Sequence, residues 1–255
     1  MEETAITIDV KNLTKFYSHK PHSIPALKDI TFQVKMGGIC CLLGPNGSGK
    51  TTLLKILAGL LTPTSGEISM MGFDPFDQPH KIRQLIGWMP AEERSGLYGR
   101  LTGNQNLEFF SSLYGMKPQD LDRRLGNLGL LLGFKKELDQ KMLEASAGNR
   151  QKLGLARVLL HDPTLLLLDE PFRNLDPHTV RRFRRLLKDH LTRNQQKTVI
   201  LSTHQLEEAK RVADSLIILH RGRIVRTLSA LEMKKELNKH SLEDYYMRVI
   251  DKEPA

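Results

Sequence analysis

The sequence predicts an α/β fold, a sheet with helices on both of its sides, and three observations carry that reading. Apolar runs of strand length alternate with helical patterns along most of the chain. Leu165–Leu168 is apolar throughout, as a strand covered on both faces must be. Two stretches break the alternation: one reads as antiparallel strands, the other as helices without strands.

In chain order, Ile6, Ile8 and Val10 alternate with polar residues, and so do Ile30, Phe32 and Val34. That period of two fits antiparallel strands with one wet face. Ile39–Leu43 is a short apolar run ending at Gly44, and Leu53, Leu54, Ile56, Leu57 and Leu60 follow at helical spacing. From about Thr102 to Leu143 the pattern is helical, through Leu107, Phe110, Leu113 and Tyr114, then Leu121, Leu125, Leu128 and Leu132. This segment predicts an inserted helical subdomain within a single domain spanning 1–255. Val180–Leu191 reads as a helix, Val199–Leu201 as a buried strand, Gln205–Ala213 as a helix and Leu216–Leu219 as a further strand. Residues from about 228 to 255 form a C-terminal tail.

The composition bounds the function. A chain of 255 residues with 40% apolar and 26% charged residues builds a sizeable core. The start, MEETAITIDV, lacks the basic and apolar regions of a secretory signal. The apolar runs are strand-length, far short of the roughly 20 residues a membrane span needs, so membrane association requires a partner. Adjacent Cys40 and Cys41 in an apolar strand point to opposite faces and read as reduced core residues. The formal charge of +9 suits anionic partners. Part of it lies in Arg181, Arg182, Arg184 and Arg185, interleaved with Phe183, Leu186 and Leu187, which reads as the solvated face of an amphipathic helix.

Two motifs carry chemistry. Gly44-Pro45-Asn46-Gly47-Ser48-Gly49-Lys50-Thr51, with Thr52 after it, fits G-x-x-x-x-G-K-[ST] between a strand and a helix. Glycines let the backbone wrap closely so that its N–H groups cradle phosphates, and the helix start adds positive dipole. Lys50 would reach the β and γ phosphates, and Thr51 would place its hydroxyl on Mg²⁺. The second motif, Leu165–Leu168 followed by Asp169-Glu170, puts two acids at the carboxyl end of a buried strand, where open α/β sheets bind ligands. Asp169 can hold Mg²⁺ through water, and Glu170 can orient or deprotonate an attacking water.

With those motifs, the order phosphate loop, helical lobe, Ala145-Ser146-Ala147-Gly148-Asn149, Leu165–Glu170, Asn174-Leu175-Asp176-Pro177 and Ser202-Thr203-His204 resembles the ATP-binding subunit of an ATP-binding-cassette (ABC) transporter over nearly the whole chain. The resemblance implies a P-loop NTPase core with an antiparallel β subdomain and an inserted α-helical subdomain. It also implies ATP hydrolysis with Mg²⁺, two copies meeting head to tail, and a separate transmembrane permease that holds the subunit at the cytoplasmic face of the membrane. On that pattern Ser146, Ala147, Gly148 and Asn149 form the signature that contacts ATP bound to the other copy. His204 resembles the switch histidine, and Asp176 resembles the aspartate linking the two sites across the dimer; an Asp-Pro turn opening a helix is the plainer reading of that residue. Tyr17, or else Phe16, resembles the residue that stacks on adenine.

Two departures stand out. The family's metal-binding glutamine near Ile86–Pro90 is replaced by Ala91, followed by Glu92, Glu93 and Arg94; Glu92 could offer the metal an oxygen, and the plainer reading is that Glu92 and Glu93 are solvated loop acids with Arg94 as their counter-charge. The signature carries Ala147 and Asn149 where the family has glycine and glutamine. The loop 90–94, Gly99–Thr102 and the tail Ser241–Tyr246 resemble the ABC-2 exporter branch. Leu97, Tyr98, Leu101 and Phe109 form an apolar-aromatic cluster expected to dock a permease helix, and the alternative for any one of them is that it fills the helical lobe's own core. A nucleic-acid role would suit the charge, but there is no aromatic–basic interleaving of the RNA-binding type, and no nucleic acid is expected. An adaptor that binds ATP with little turnover is the other alternative.

Overall fold

The computed structural model describes residues 6–18, 23–91, 96–134, 136–173, 175–237 and 241–251. The elements run β1 (Ile6–Lys15), β2 (Leu27–Lys35), β3 (Gly38–Leu43), α1 (Lys50–Leu57), β4 (Ser65–Met70), α2 (Pro79–Leu85) and β5 (Ile86–Met89). Then come α3 (Gly103–Leu113), α4 (Pro118–Leu132) and α5 (Ala147–Leu159), with no strand among the described residues between Gly103 and Leu159. The last part contains β6 (Leu165–Asp169), α6 (Pro177–Arg185), β7 (Thr198–Thr203), α7 (Leu206–Val212), β8 (Ser215–His220), β9 (Arg223–Leu228), α8 (Ala230–Leu237) and α9 (Leu242–Ile250). α6 continues as a π-helical stretch, Leu186–Asn194, so the helix read over Val180–Leu191 changes its hydrogen-bond pattern midway.

Two sheets form. The smaller, in the order β2-β1-β4, is antiparallel. In β2, Ile30, Phe32 and Val34 are buried while Thr31, Gln33 and Lys35 are exposed, the one-sided burial that the alternation encodes. The larger sheet has the order β5-β6-β7-β3-β8-β9, parallel except for the β8–β9 pair. Every residue of β6 and β7 is buried. Side-chain alternation sends Leu166 and Leu168 into one core and Leu165 and Leu167 into the other. Each buried leucine contributes about 1.5–3 kcal/mol, so β6 alone anchors both layers. Cys41 joins the first core and Cys40 the second, on opposite faces as adjacent strand residues must be.

The chain sets its helix starts locally. Thr102 and Gln105 close a reciprocal capping box on α3, Ser146 caps α5 and Asp176 caps α6. Three details differ from the sequence reading. Leu60 lies beyond α1 and is 62% exposed, because the helix ends at Leu57 and Gly59 takes a positive φ of 68°. Leu113 is 66% exposed at the end of α3, whose inner face is completed instead by buried Asn106, bonded to the backbone of Tyr98 and Thr102. β4 and β9, which the apolar pattern does not mark, are strands: β4 buries two residues, and β9 buries one outright beside two arginines.

Strand register brings distant segments together at one edge of the larger sheet. Asp169 pairs with Ser202, and Leu43 with Thr203. The carboxyl ends of β3, β6 and β7 are therefore neighbours, and the segments that leave them converge there.

Candidate functional site

The loop between β3 and α1 is shaped by its glycines. A Cβ on Gly44 would lie 2.3 Å from the Leu219 carbonyl oxygen, so no larger residue fits there. Gly49 has a φ of 107°, and a Cβ there would sit 2.8 Å from the Ala26 carbonyl oxygen. Gly49 offers α1 no side-chain cap, which leaves the first-turn N–H groups free of one. The Ser48 hydroxyl is buried and has no hydrogen-bond partner among the described residues. A loop of N–H groups, an uncapped helix start and an unsatisfied buried hydroxyl make a donor set that fits a polyphosphate.

Lys50 is 6% exposed. Its amine donates to the carbonyls of Gly44 at 2.7 Å and Pro45 at 3.0 Å, and stands 3.9 Å from the Glu170 carboxylate. Burial pushes its pKa below the ordinary lysine value, opposed by the charges of Glu170 and Asp169. Thr51 donates through its hydroxyl to Asp169 Oδ2 at 2.7 Å. Ser202 donates to Asp169 Oδ1 and accepts from the Glu170 N–H at 2.9 Å. Glu170 has a φ of 49°, unusual for a residue with a side chain, and its Oε1 lies 3.0 Å from His204 Nδ1. Tyr17 is 65% exposed, and its hydroxyl shares a 3.1 Å hydrogen bond with that of Thr52.

The structure thus gathers Tyr17, the loop Gly44–Thr52, Asp169, Glu170 and His204. It adds Ser202, to which sequence reasoning gave no role. The signal that would have found Ser202 is its register opposite Asp169, which only the strand pairing reveals. Thr51 and Asp169 present hard oxygen ligands to one point, suited to a small divalent cation.

Two candidate segments stand outside this hydrogen-bonded group. Ser146 accepts from Asn149 N at 3.1 Å and opens α5, whose first residues are Ala147, Gly148 and Asn149. Asp176 accepts from His178 N and Thr179 N, both at 3.0 Å, and from the Thr179 hydroxyl at 2.6 Å. Those bonds hold its carboxyl below the usual range. Asp176 therefore caps α6, as the plainer reading held. Ala91 brings only a methyl group, while Glu92 lies outside the described residues.

Of the docking cluster, Tyr98 and Phe109 are 52% and 39% exposed, with rings edge-on at 5.2 Å, and Leu101 is partly buried. Leu97, at 5% exposure, fills the core with Leu107 and Met89, the alternative reading for that residue. Arg181, Arg182 and Arg185 are exposed, Arg184 is paired with Glu208 at 3.0 Å, and Phe183 is buried, the amphipathic arrangement expected. Burial pushes the Cys40 thiol up to about 11 and Cys41 well above its ordinary value, leaving both unreactive at neutral pH.

Comparison with known proteins agrees with this geometry. Residues 27–173 match the family model described as ABC transporter. Over 236 residues, 91% of this chain and 95% of the relative, the chain is 33% identical to the ABC transporter ATP-binding protein NatA of Bacillus subtilis (strain 168). It is 34% identical to the Nod factor export ATP-binding protein I of Rhizobium meliloti (strain 1021), over 85% of this chain and 62% of that protein. Among solved structures, the dimeric post-hydrolysis state of the ATP-binding cassette MJ0796, bound to ADP and Pi, superposes with a TM-score of 0.76. The identity is 27%, covering 88% of this chain and 98% of that one.

Proposed function

The chain belongs to the ABC transporter family as an ATP-binding, ATP-hydrolysing subunit, and from that premise we propose which residues do the work and what they drive. The observation that carries the reading is the single hydrogen-bonded group joining Thr51, Asp169, Glu170, Ser202 and His204, with Lys50 in an ion pair to Glu170, beside a glycine loop whose buried Ser48 hydroxyl has no partner among the described residues.

The N–H groups of Gly44–Thr52 bind the phosphates, and Lys50 pairs with their charge. Mg²⁺, held by Thr51 and Asp169, would neutralise phosphate charge when bound. Glu170 accepts the proton of a water that attacks the γ-phosphorus, the bond to the β-phosphate oxygen breaks, and ADP and phosphate result. His204 orients Glu170 through its ring nitrogen, and Ser202 fixes the backbone of Glu170. Tyr17 stacks on the adenine.

Two copies form the working unit. Ser146–Asn149 of one copy face the phosphate on the loop of the other, and Asp176 lies near their junction. Segment 102–143 acts as the lobe that carries this contact, and 228–255 as a tail. A separate permease supplies the membrane spans, since no helix among the described residues is long and apolar enough to cross a membrane. The chain then works at the cytoplasmic face through that partner. Export is favoured by the relative whose name states it.

The test is Glu170→Gln. Nucleotide binding should persist while turnover falls by about 10²–10⁴, and an ATP-bound dimer should accumulate on gel filtration. Turnover equal to that of the unaltered chain refutes the role of Glu170.

A further inference from the structure

Glu170 sits where its own chain resists putting it. A φ of 49° is uncommon for a residue with a side chain, and a residue before proline, here Pro171, is pushed toward extended backbone. Such a conformation persists only where the surroundings hold it. On the amino side the hold is the Ser202 hydroxyl, which accepts from the Glu170 N–H at 2.9 Å. On the carboxyl side the Glu170 carbonyl accepts from the Arg173 N–H at 3.1 Å, closing a turn over Glu170–Arg173. Pro171 lacks an N–H, and its carbonyl accepts from Nε2 of Gln151 at 3.0 Å.

Gln151 lies outside the two chemical motifs. It begins the second turn of α5 and is 8% exposed, so its amide faces inward, off the helix surface that meets water. α5 packs on β5 and against α3 and α4. At the other end of the bond, Phe172 follows Pro171 and is buried, its ring 5.3 Å from that of Phe183 on α6. Both ends of the Gln151 bond are therefore held by packed elements. A close-packed interior passes a small shift of one such element to the next. The first turn of α5 is Ala147–Asn149, capped by Ser146, so the helix that anchors the turn after Glu170 is the one that begins with the signature.

We infer that Gln151 is a positioning residue for Glu170: it fixes the turn after the acid and ties that turn to α5, so that the carboxylate is in place when α5 is seated. Without the bond, the Pro171 peptide is free to rotate and Glu170 can relax from its φ of 49° toward the extended backbone it prefers. The second half of the inference, the tie to α5, rests on the proposed contact between Ser146–Asn149 and nucleotide on the other copy. Through it, one copy's hold on its neighbour's ATP is felt at its own Glu170.

The experiment measures ATPase kinetics and ADP affinity of the full chain. Gln151→Met keeps the length of the side chain and removes the donor. It should lower kcat about 5- to 10-fold, the worth of one hydrogen bond. KM for ATP and the ADP affinity should stay close to those of the unaltered chain, because the phosphate loop is untouched. Gln151→Lys, which keeps an N–H donor, should retain most of the turnover. If Gln151→Met fails to bind ADP, Gln151→Glu replaces it, since it has the shape of glutamine with an oxygen in place of the donor. An unaltered kcat in the donor-less variant overturns the inference. So does a parallel fall of kcat and ADP affinity, or a Gln151→Lys chain no faster than Gln151→Met. Ser146→Gly tests the tie to α5, because glycine at a helix cap costs only a few tenths of a kcal/mol. It should also lower kcat, and the double variant should be no slower than the slower single one. Losses that multiply overturn the tie. If Ser146→Gly alone turns over like the unaltered chain, it is the contact between copies that fails, and the Gln151 variants still decide the positioning of Glu170.

Discussion

Ser202→Ala isolates the support beneath the two acids. Ser202 is wholly buried, gives one hydrogen bond to Asp169 and takes one from the Glu170 N–H. Alanine fits the space and removes both. Asp169 is 1% exposed and the Glu170 amide is held by the same hydroxyl, so neither orphaned group has an easy route to water. A buried group left unsatisfied costs about 1–3 kcal/mol, more when charged. Two of them, with partial relaxation, amount to roughly 3 kcal/mol. For a chain of this size that corresponds to a fall in Tm of about 6–12 °C. The assay is thermal melting without nucleotide, followed by urea denaturation, with Ser202→Thr as the control that keeps a hydroxyl. Because Glu170 sits at a φ of 49°, losing its amide anchor should also lower kcat while nucleotide affinity stays close to normal. An unchanged Tm with unchanged kcat would refute the reasoning, since the bonds would then contribute nothing.

Lys50→Ala should reduce nucleotide affinity about 10- to 100-fold by calorimetry, the worth of a hydrogen bond to a charged group. With Lys50 intact, affinity should also decline toward alkaline pH before the ordinary lysine value of 10.5 is reached, because burial lowers its pKa and the bound phosphates need its proton; Lys50→Arg should flatten that decline. The stability term has the opposite sign: between the lowered folded pKa and 10.5 the unfolded chain binds more protons, so the nucleotide-free protein should gain stability as pH rises through that window. Gly44→Ala forces a methyl to 2.3 Å from the Leu219 carbonyl and should destabilise the fold by about 1–3 kcal/mol in urea, with loss of nucleotide binding. Glu92→Gln should make ATPase rate less steeply dependent on Mg²⁺ concentration, and superimposable titration curves would remove Glu92 from the metal site.

The residues that chemistry dictates were readable from the chain. A phosphate loop needs glycine, lysine and a hydroxyl at fixed spacing, and a metal-binding acid needs a buried strand beneath it, so Gly44–Thr51 and Asp169–Glu170 stand out in one dimension. What escaped depends on pairing between distant segments. Ser202 gains its role from facing Asp169 across the sheet, and no local pattern records that. Leu97 and Leu113 are equally apolar, yet one is 5% exposed and the other 66%, because Leu97 packs into the core before α3 while Leu113 is the last residue of that helix, away from its buried side. β4 and β9 were hard to read because each buries so few side chains: β4 alternates only over Ile68–Met70, and β9 buries Leu228 alone.

The sheet order has a consequence for how the protein is made. β3 leads straight into the phosphate loop, yet its partners on both sides, β7 and β8, come from residues 198–220. Gly38 must wait for Thr198, about 160 residues later, which at ~5–20 residues per second of synthesis is roughly 8–30 s. Through that interval the nascent chain carries its phosphate loop on a strand with two open edges. ATP in the cell has nothing formed to bind, so it cannot assist the early steps of folding and rewards only the finished sheet. The unpaired edges of the apolar strand are meanwhile open to wrong pairing, a hazard the ligand cannot reduce.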